Sequence, residues 1–153
     1  MLGICMVDET EVRQIAKTKI AYQNVLLMAI NDVRYCLAHS NSRSSLASLE
    51  ALISVLPPEI REVVDGQLED LKRMRKADED REFEAYVQQY KEKHRIYGDL
   101  YEGAYHDCLE HLNNVIKPKY RRRYVSTALQ LIVRVLDEHG LLRDYREEEI
   151  GSG

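Results

Sequence analysis

Three side chains between residues 102 and 110 have the spacing of metal ligands on one helical face. Glu102, His106 and Glu110 recur at every fourth residue, so in a helix they point the same way. Carboxylate and imidazole groups placed in this way can bind zinc or iron, and Asp107 with His111 forms a second pair beside them. Helical metal centres also draw ligands from other helices, however, and the sequence shows no second cluster. We therefore expect a solvated helix face with no metal or cofactor, and a metal-dependent enzyme or regulator is the weakest alternative.

The densest positive charge lies in an eight-residue stretch that contains five cations and no acid. With its tyrosines, this candidate binding stretch consists of Lys117, Lys119, Tyr120, Arg121, Arg122, Arg123 and Tyr124. It is predicted to open a helix, where the partial positive charge of the backbone makes cations unfavourable by a few tenths of a kcal/mol each. Helix stability therefore does not explain the stretch. A solvated or intramolecular role, an acidic protein surface (residues 46–84 of this or another copy) and a nucleic-acid phosphate backbone are the three interpretations.

Tyrosine is the dominant aromatic residue, with ten copies against one phenylalanine and no tryptophan. Half of the tyrosines fall in a short stretch, and these are the candidate interface residues Tyr86, Tyr90, Tyr97, Tyr101 and Tyr105. A tyrosine can bury its ring while its hydroxyl reaches water or a partner, so the residue is common at interfaces. The stretch predicts core rings that end at the surface, or a groove or oligomer seam for a protein partner. Base stacking is the weakest alternative, because the stretch lacks the interleaved cations that single-strand binding needs.

Composition restricts the class of protein further. The net charge of −4, with 44% hydrophobic and 31% charged residues, is typical of a soluble globular chain that does not coat nucleic acid. No apolar run is long enough to span a membrane, and the first residues lack the features of a secretory signal. Cys5, Cys36 and Cys108 form no CxxC motif, and no phosphate-binding loop or catalytic motif is present. We expect a cytoplasmic protein that is not an enzyme, has no evident small-molecule substrate and does not bind membranes.

Apolar spacing of three and four residues predicts the helices that carry these side chains. A helix of about thirty residues follows a capping box at Asp8, with Val12 on its apolar face. Ser44 or Ser45 is expected to cap a short helix, and Pro58 to begin another. Pro118 is expected to end the helix that contains the tyrosines, and Gly140 to cap a last helix over about 119–139.

The sequence as a whole predicts an all-α protein, a helical bundle or extended helical hairpin of five to six helices with no sheet. Residues 1–150 form a single domain, in which the charged residues 72–84 are either a helical bridge or a hinge, and 151–153 are typical of a cloning remnant. The function we expect is a non-catalytic protein–protein interaction or assembly module, such as a small subunit or adaptor, a self-assembling protein, or a viral or plasmid accessory protein. The alternative is a nucleic-acid-binding subunit that uses residues 117–124.

Overall fold

The computed structural model describes residues 9–142, with only the backbone given for residues 15 and 16. Over this range the chain is helical and contains no strand, which confirms the predicted all-α class. Its helices are α1 (Glu9–His39), α2 (Ser42–Ser54), α3 (Pro58–His94), α4 (Glu102–His111) and α5 (Lys117–Glu138). A π-helical segment, Leu112–Ile116, joins α4 to α5. Cys5, Asp8 and residues 145–153, which also entered the sequence predictions, lie outside the described residues.

The prediction of five to six helices is wrong for the described residues, because α4, the π-helical segment and α5 form one continuous helix. Pro118, expected to end a helix, lies inside its backbone. Proline has no N–H and its ring collides with the carbonyl four residues earlier. The wide turn just before Pro118, in which the Lys117 N–H bonds to the Leu112 carbonyl, provides the space that the ring requires. Residues 9–142 thus contain four helices: α1, α2, α3 and this long one.

One apolar core joins α2 to the second half of α1, the first turns of α3 and most of α5. Leu26, Leu52 and Ile60 are completely buried in it, and α5 contributes eight buried residues. Each such side chain stabilises the fold by about 1.5–3 kcal/mol. The core therefore fixes α5, while α3 has no fully buried residue after Leu68. Beyond Leu68, α3, including residues 72–84, continues as a helix beside α5 and α4. α3 and the long helix that contains α4 and α5 form a helical hairpin.

Two helix ends show where sequence rules were sufficient and where they were not. The left-handed Gly140 ends the last helix as predicted, and the Leu141 N–H bonds back to the Leu136 carbonyl. At α2 the predicted cap is wrong. Asn41, and neither Ser44 nor Ser45, caps the helix by accepting a hydrogen bond from the Ser44 N–H.

The first turns of α1 extend past the core. Val12, predicted on the buried face, is 51% exposed, and the described side chains from Glu9 to Ala21 are all exposed. Burial of α1 begins at Tyr22, whose hydroxyl donates to the Val55 carbonyl across 2.7 Å. The apolar spacing continues in the sequence beyond the length of the helices that α1 packs against, so periodicity alone overestimated its buried part.

Candidate functional site

The arginines of the basic stretch contact the chain's own backbone and side chains. Arg122 donates to the carbonyls of Leu37 and Ser40, at the end of α1. Arg121 donates to the hydroxyl of Ser42, at the start of α2, over 2.9 Å. Helix ends leave carbonyls without partners, and a cation there also interacts favourably with the helix dipole. These two arginines therefore fasten the α1–α2 corner to α5.

A lysine of the same stretch is also paired within the chain. Lys119 donates to Glu82 of α3 across 2.7 Å. This hydrogen bond raises the pKa of Lys119 and is the main cause that lowers the pKa of the Glu82 carboxyl. The ring of Tyr120 lies 5.1 Å from the Lys119 ammonium and 5.0 Å from the Arg123 guanidinium. The contact between Lys119 and Glu82 matches the interpretation in which the basic stretch faces the acidic residues 46–84 of its own copy.

The helix dipole does not act on the basic stretch as the sequence predicted. Because the helix actually starts at Glu102, the N–H groups around Lys117 are not the free donors of a helix end, and the Lys117 N–H is bonded to Leu112. Half-buried Lys117 lies in the middle of a long helix. A helix N-terminus beside arginines, which would favour phosphate binding, is therefore absent from the stretch.

A ladder of polar and aromatic contacts, which sequence reasoning missed, closes the hairpin above the core. Arg75 pairs with Glu79 at 3.1 Å and lies over the ring of Tyr124, with both charged side chains at least three-quarters buried. The signal was available, since Arg75, Glu79 and Glu82 continue the helical spacing of Leu68 and Leu71. Charged residues at positions that continue the apolar spacing indicated that this face of α3 contacts another helix, although not which residues it contacts.

The predicted tyrosine interface divides into two groups. Tyr86 and Tyr90 are half-buried and belong to the ladder. The ring of Tyr86 stacks on His111 at 3.8 Å, and the Tyr90 hydroxyl donates to Asp107 across 2.8 Å. These two side chains bind α3 to the opposite helix, so they are not available as one continuous surface with the other three.

Titration of Tyr90 tests this ladder. Donation to the Asp107 carboxylate raises the pKa of Tyr90 to about 12 from its ordinary 10. The bond therefore contributes its full stability below pH 10 and loses it as the pH rises through 12. Burial also raises the pKa of Tyr22 and Tyr124, so the Tyr90 resonance is assigned by substitution. We expect NMR of the tyrosine Cζ carbons to show a late resonance that is absent in Y90F and shifted back towards 10 in D107N. A Tyr90 that titrates near 10 would contradict the contact.

The remaining three tyrosines, which we call the tyrosine tip, lie at the turn between α3 and α4. Tyr97, Tyr101 and Tyr105 are 92%, 61% and 50% exposed. They do not share one helical face as their spacing suggested, because Tyr97 is in the connecting loop and only Tyr105 lies within α4. Three large rings in water at one end of the molecule form a surface that the rest of the fold does not use.

The backbone at the tip is held in an uncommon conformation. Arg95 ends α3 in the left-handed region at φ 54°, where glycine is usual, and Gly98 follows at φ 115°. A left-handed residue with a side chain costs on the order of 1 kcal/mol. Arg95 lies two residues before Tyr97, the most exposed aromatic residue of the described chain.

The three candidate metal ligands, which the sequence favoured only weakly, are not brought together as a site. His106 Nε2 lies 3.7 Å from Glu110 Oε1, and Glu102, His106 and Glu110 are all exposed. The second pair is divided, since Asp107 accepts from Tyr90 and His111 stacks on Tyr86. Within residues 9–142 no three histidine, cysteine, aspartate or glutamate side chains are grouped as a metal site would need. The same residues include no helix with the length and apolarity to cross a bilayer.

Comparison with known proteins adds no assignment. No family model, no curated protein and no solved structure matches this chain. We therefore infer the function from the surfaces of the chain itself.

Proposed function

We propose that this protein is a non-catalytic association module that binds a protein partner through the tyrosine tip. The observation that carries the proposal is the exposure of Tyr97, Tyr101 and Tyr105 at the free end of a hairpin. Tyrosine is enriched among the residues that dominate binding energy, because it buries a large area and loses little side-chain entropy. The hairpin, whose other tyrosines are used internally, acts as an arm that presents these rings away from the core.

The basic stretch supports the nucleic-acid alternative less well. Arg121, Arg122 and Lys119 are directed to Ser42, to two backbone carbonyls and to Glu82. Phosphate binding would have to compete with these contacts, and each cation would lose a partner that it already has. The alternative predicts salt-sensitive binding to any oligonucleotide, which a titration at two salt concentrations measures.

Removal of the three rings tests the proposal. We expect Y97S/Y101S/Y105S, immobilised and exposed to lysate of the cells that express the protein, to lose partners that the wild type retains. If each ring contributes 1–2 kcal/mol, the combined loss of affinity is on the order of a hundredfold or more. Quantitative mass spectrometry of the captured proteins is the readout.

A matched control separates the tip from exposed apolar side chains in general. Met28, Tyr35 and Met74 are 67%, 64% and 60% exposed, at positions away from the tip. M28S/Y35S/M74S removes a similar apolar area and should retain the partners. Equal capture by the tip variant and the wild type would contradict the proposed function.

A further inference from the structure

The charges around the tyrosine tip are separated by sign between two helices. From Ile96 to Ile116 the chain has four acids, Asp99, Glu102, Asp107 and Glu110, and neither lysine nor arginine. The last turns of α3, on the other side of the loop, carry Lys91, Lys93 and Arg95 against a single acid, Glu92. One side of the tip is therefore positive and the other negative.

Specific members of both groups are placed to make contacts. Lys91 and Arg95, which we call the cation pair, line an open concavity of about 560 Å³ together with Tyr97 and two acids, Glu92 and Asp99. On α4, Glu102 and Glu110, which we call the acidic pair, are exposed and lie two helical turns apart. Tyr101 and Tyr105 flank the acidic pair, so one face of α4 offers carboxylates and rings together.

We propose that the partner of the tip is a second copy of this chain, related by a two-fold axis. A two-fold interface brings the same patch of both copies together, so a patch with one positive and one negative side complements itself. The cation pair of each copy then lies against the acidic pair of the other. Tyr101 and Tyr105 reach the concavity of the partner copy, where an arginine or lysine beside a tyrosine ring adds a cation–π contact.

The inference rests on the proposed function, because it uses the same tip and names what binds there. A heterologous partner would have to present its own separated charges, whereas a second copy supplies them without any further assumption. Since Arg95, Glu102 and Glu110 are exposed and Lys91 is half-buried, the attraction between these charges is weak in isolation and screened by salt. The rings supply affinity, and the charges select the partner and its orientation.

A charge-swap experiment tests the second copy directly. K91E/R95E makes the cation pair negative, and E102K/E110K makes the acidic pair positive. We expect sedimentation equilibrium to show a monomer–dimer equilibrium for the wild type and a dissociation constant at least about tenfold higher for each variant, since like charges then oppose each other. An equimolar mixture of the two variants should recover the dimer as a heterodimer, because both contacts are attractive again.

The mixture also serves as the folding control, since a variant that fails to fold cannot recover. A wild type that stays monomeric into the millimolar range, variants that dimerise as well as the wild type, or a mixture without recovery from variants that circular dichroism shows to be folded would each overturn the second copy as partner. These results are distinguishable from failure of the proposed function. If the wild type is monomeric but Y97S/Y101S/Y105S still loses captured proteins, the tip binds a different protein and only the further inference fails.

Discussion

An L52A variant is expected to lose about 2–5 kcal/mol of its free energy of unfolding, the largest single effect that the structure predicts. Leu52 lies on α2 with no exposed surface, within the core that α1, α3 and α5 share. Truncation removes its buried methyl groups and leaves a cavity that rigid helices on several sides cannot close. Because domains of this kind are stable by only about 5–15 kcal/mol, such a loss is a large fraction of the total.

Denaturant unfolding followed by circular dichroism measures the effect. M28A is the matched control, because Met28 is a residue of similar size on a helix but is 67% exposed. We expect the control to remain within about 0.5 kcal/mol of the wild type. Equal midpoints for L52A and M28A would show that α2 does not pack into this core.

An R122M variant is expected to lose about 1–2 kcal/mol, the second largest effect, because the carbonyls of Leu37 and Ser40 lose a charged donor. The value is at the low end for a charged donor since Arg122 is exposed and water partly replaces it. Amide hydrogen exchange should also become faster in the last turn of α1, where the hydrogen bonds lose their support.

R123M is the control for this prediction, since it removes the same charge from the next residue of the same helix. Arg123 is exposed, and its contact in the structure is the ring of Tyr120 on its own helix. We expect R123M to change stability by less than about 0.5 kcal/mol. If R122M lost no more stability than R123M, the basic stretch would have no structural role and a binding role would become the better interpretation.

Local chemistry predicted the parts of the fold that depend on near neighbours. The spacing of apolar residues located the helices, and Pro58 and Gly140 marked a helix start and a helix end through their own backbone preferences. Val12 shows the limit of this reasoning, because burial depends on whether a neighbouring helix extends that far. Pro118 shows another limit, since a π-helical turn next to buried Ile116 lets the helix continue where the proline rule predicts an end.

The candidate site was predictable in residue type but not in role. Tyr86, Tyr90 and Tyr105 look alike in the sequence. Only the packing of α3 against α4 places the first two in the ladder and the third in the tyrosine tip. Arg122 contacts carbonyls more than eighty residues away in the chain, at a distance that no local pattern reports. The metal ligands had correct spacing on one helix, but no other described element brings a third group to His106 and Glu110.

Oxidative footprinting of tyrosine side chains, in the free and the associated protein, tests the central claim most directly. The claim is that association occurs at the tip and leaves the rest of the surface in water. Tyr35, 64% exposed on α1, is an internal reference with a similar initial reactivity to Tyr101. We expect mass spectrometry to show protection of Tyr97, Tyr101 and Tyr105 on association and unchanged oxidation of Tyr35. Protection of Tyr35 with a tip that stays reactive would contradict the account and place the interface on α1.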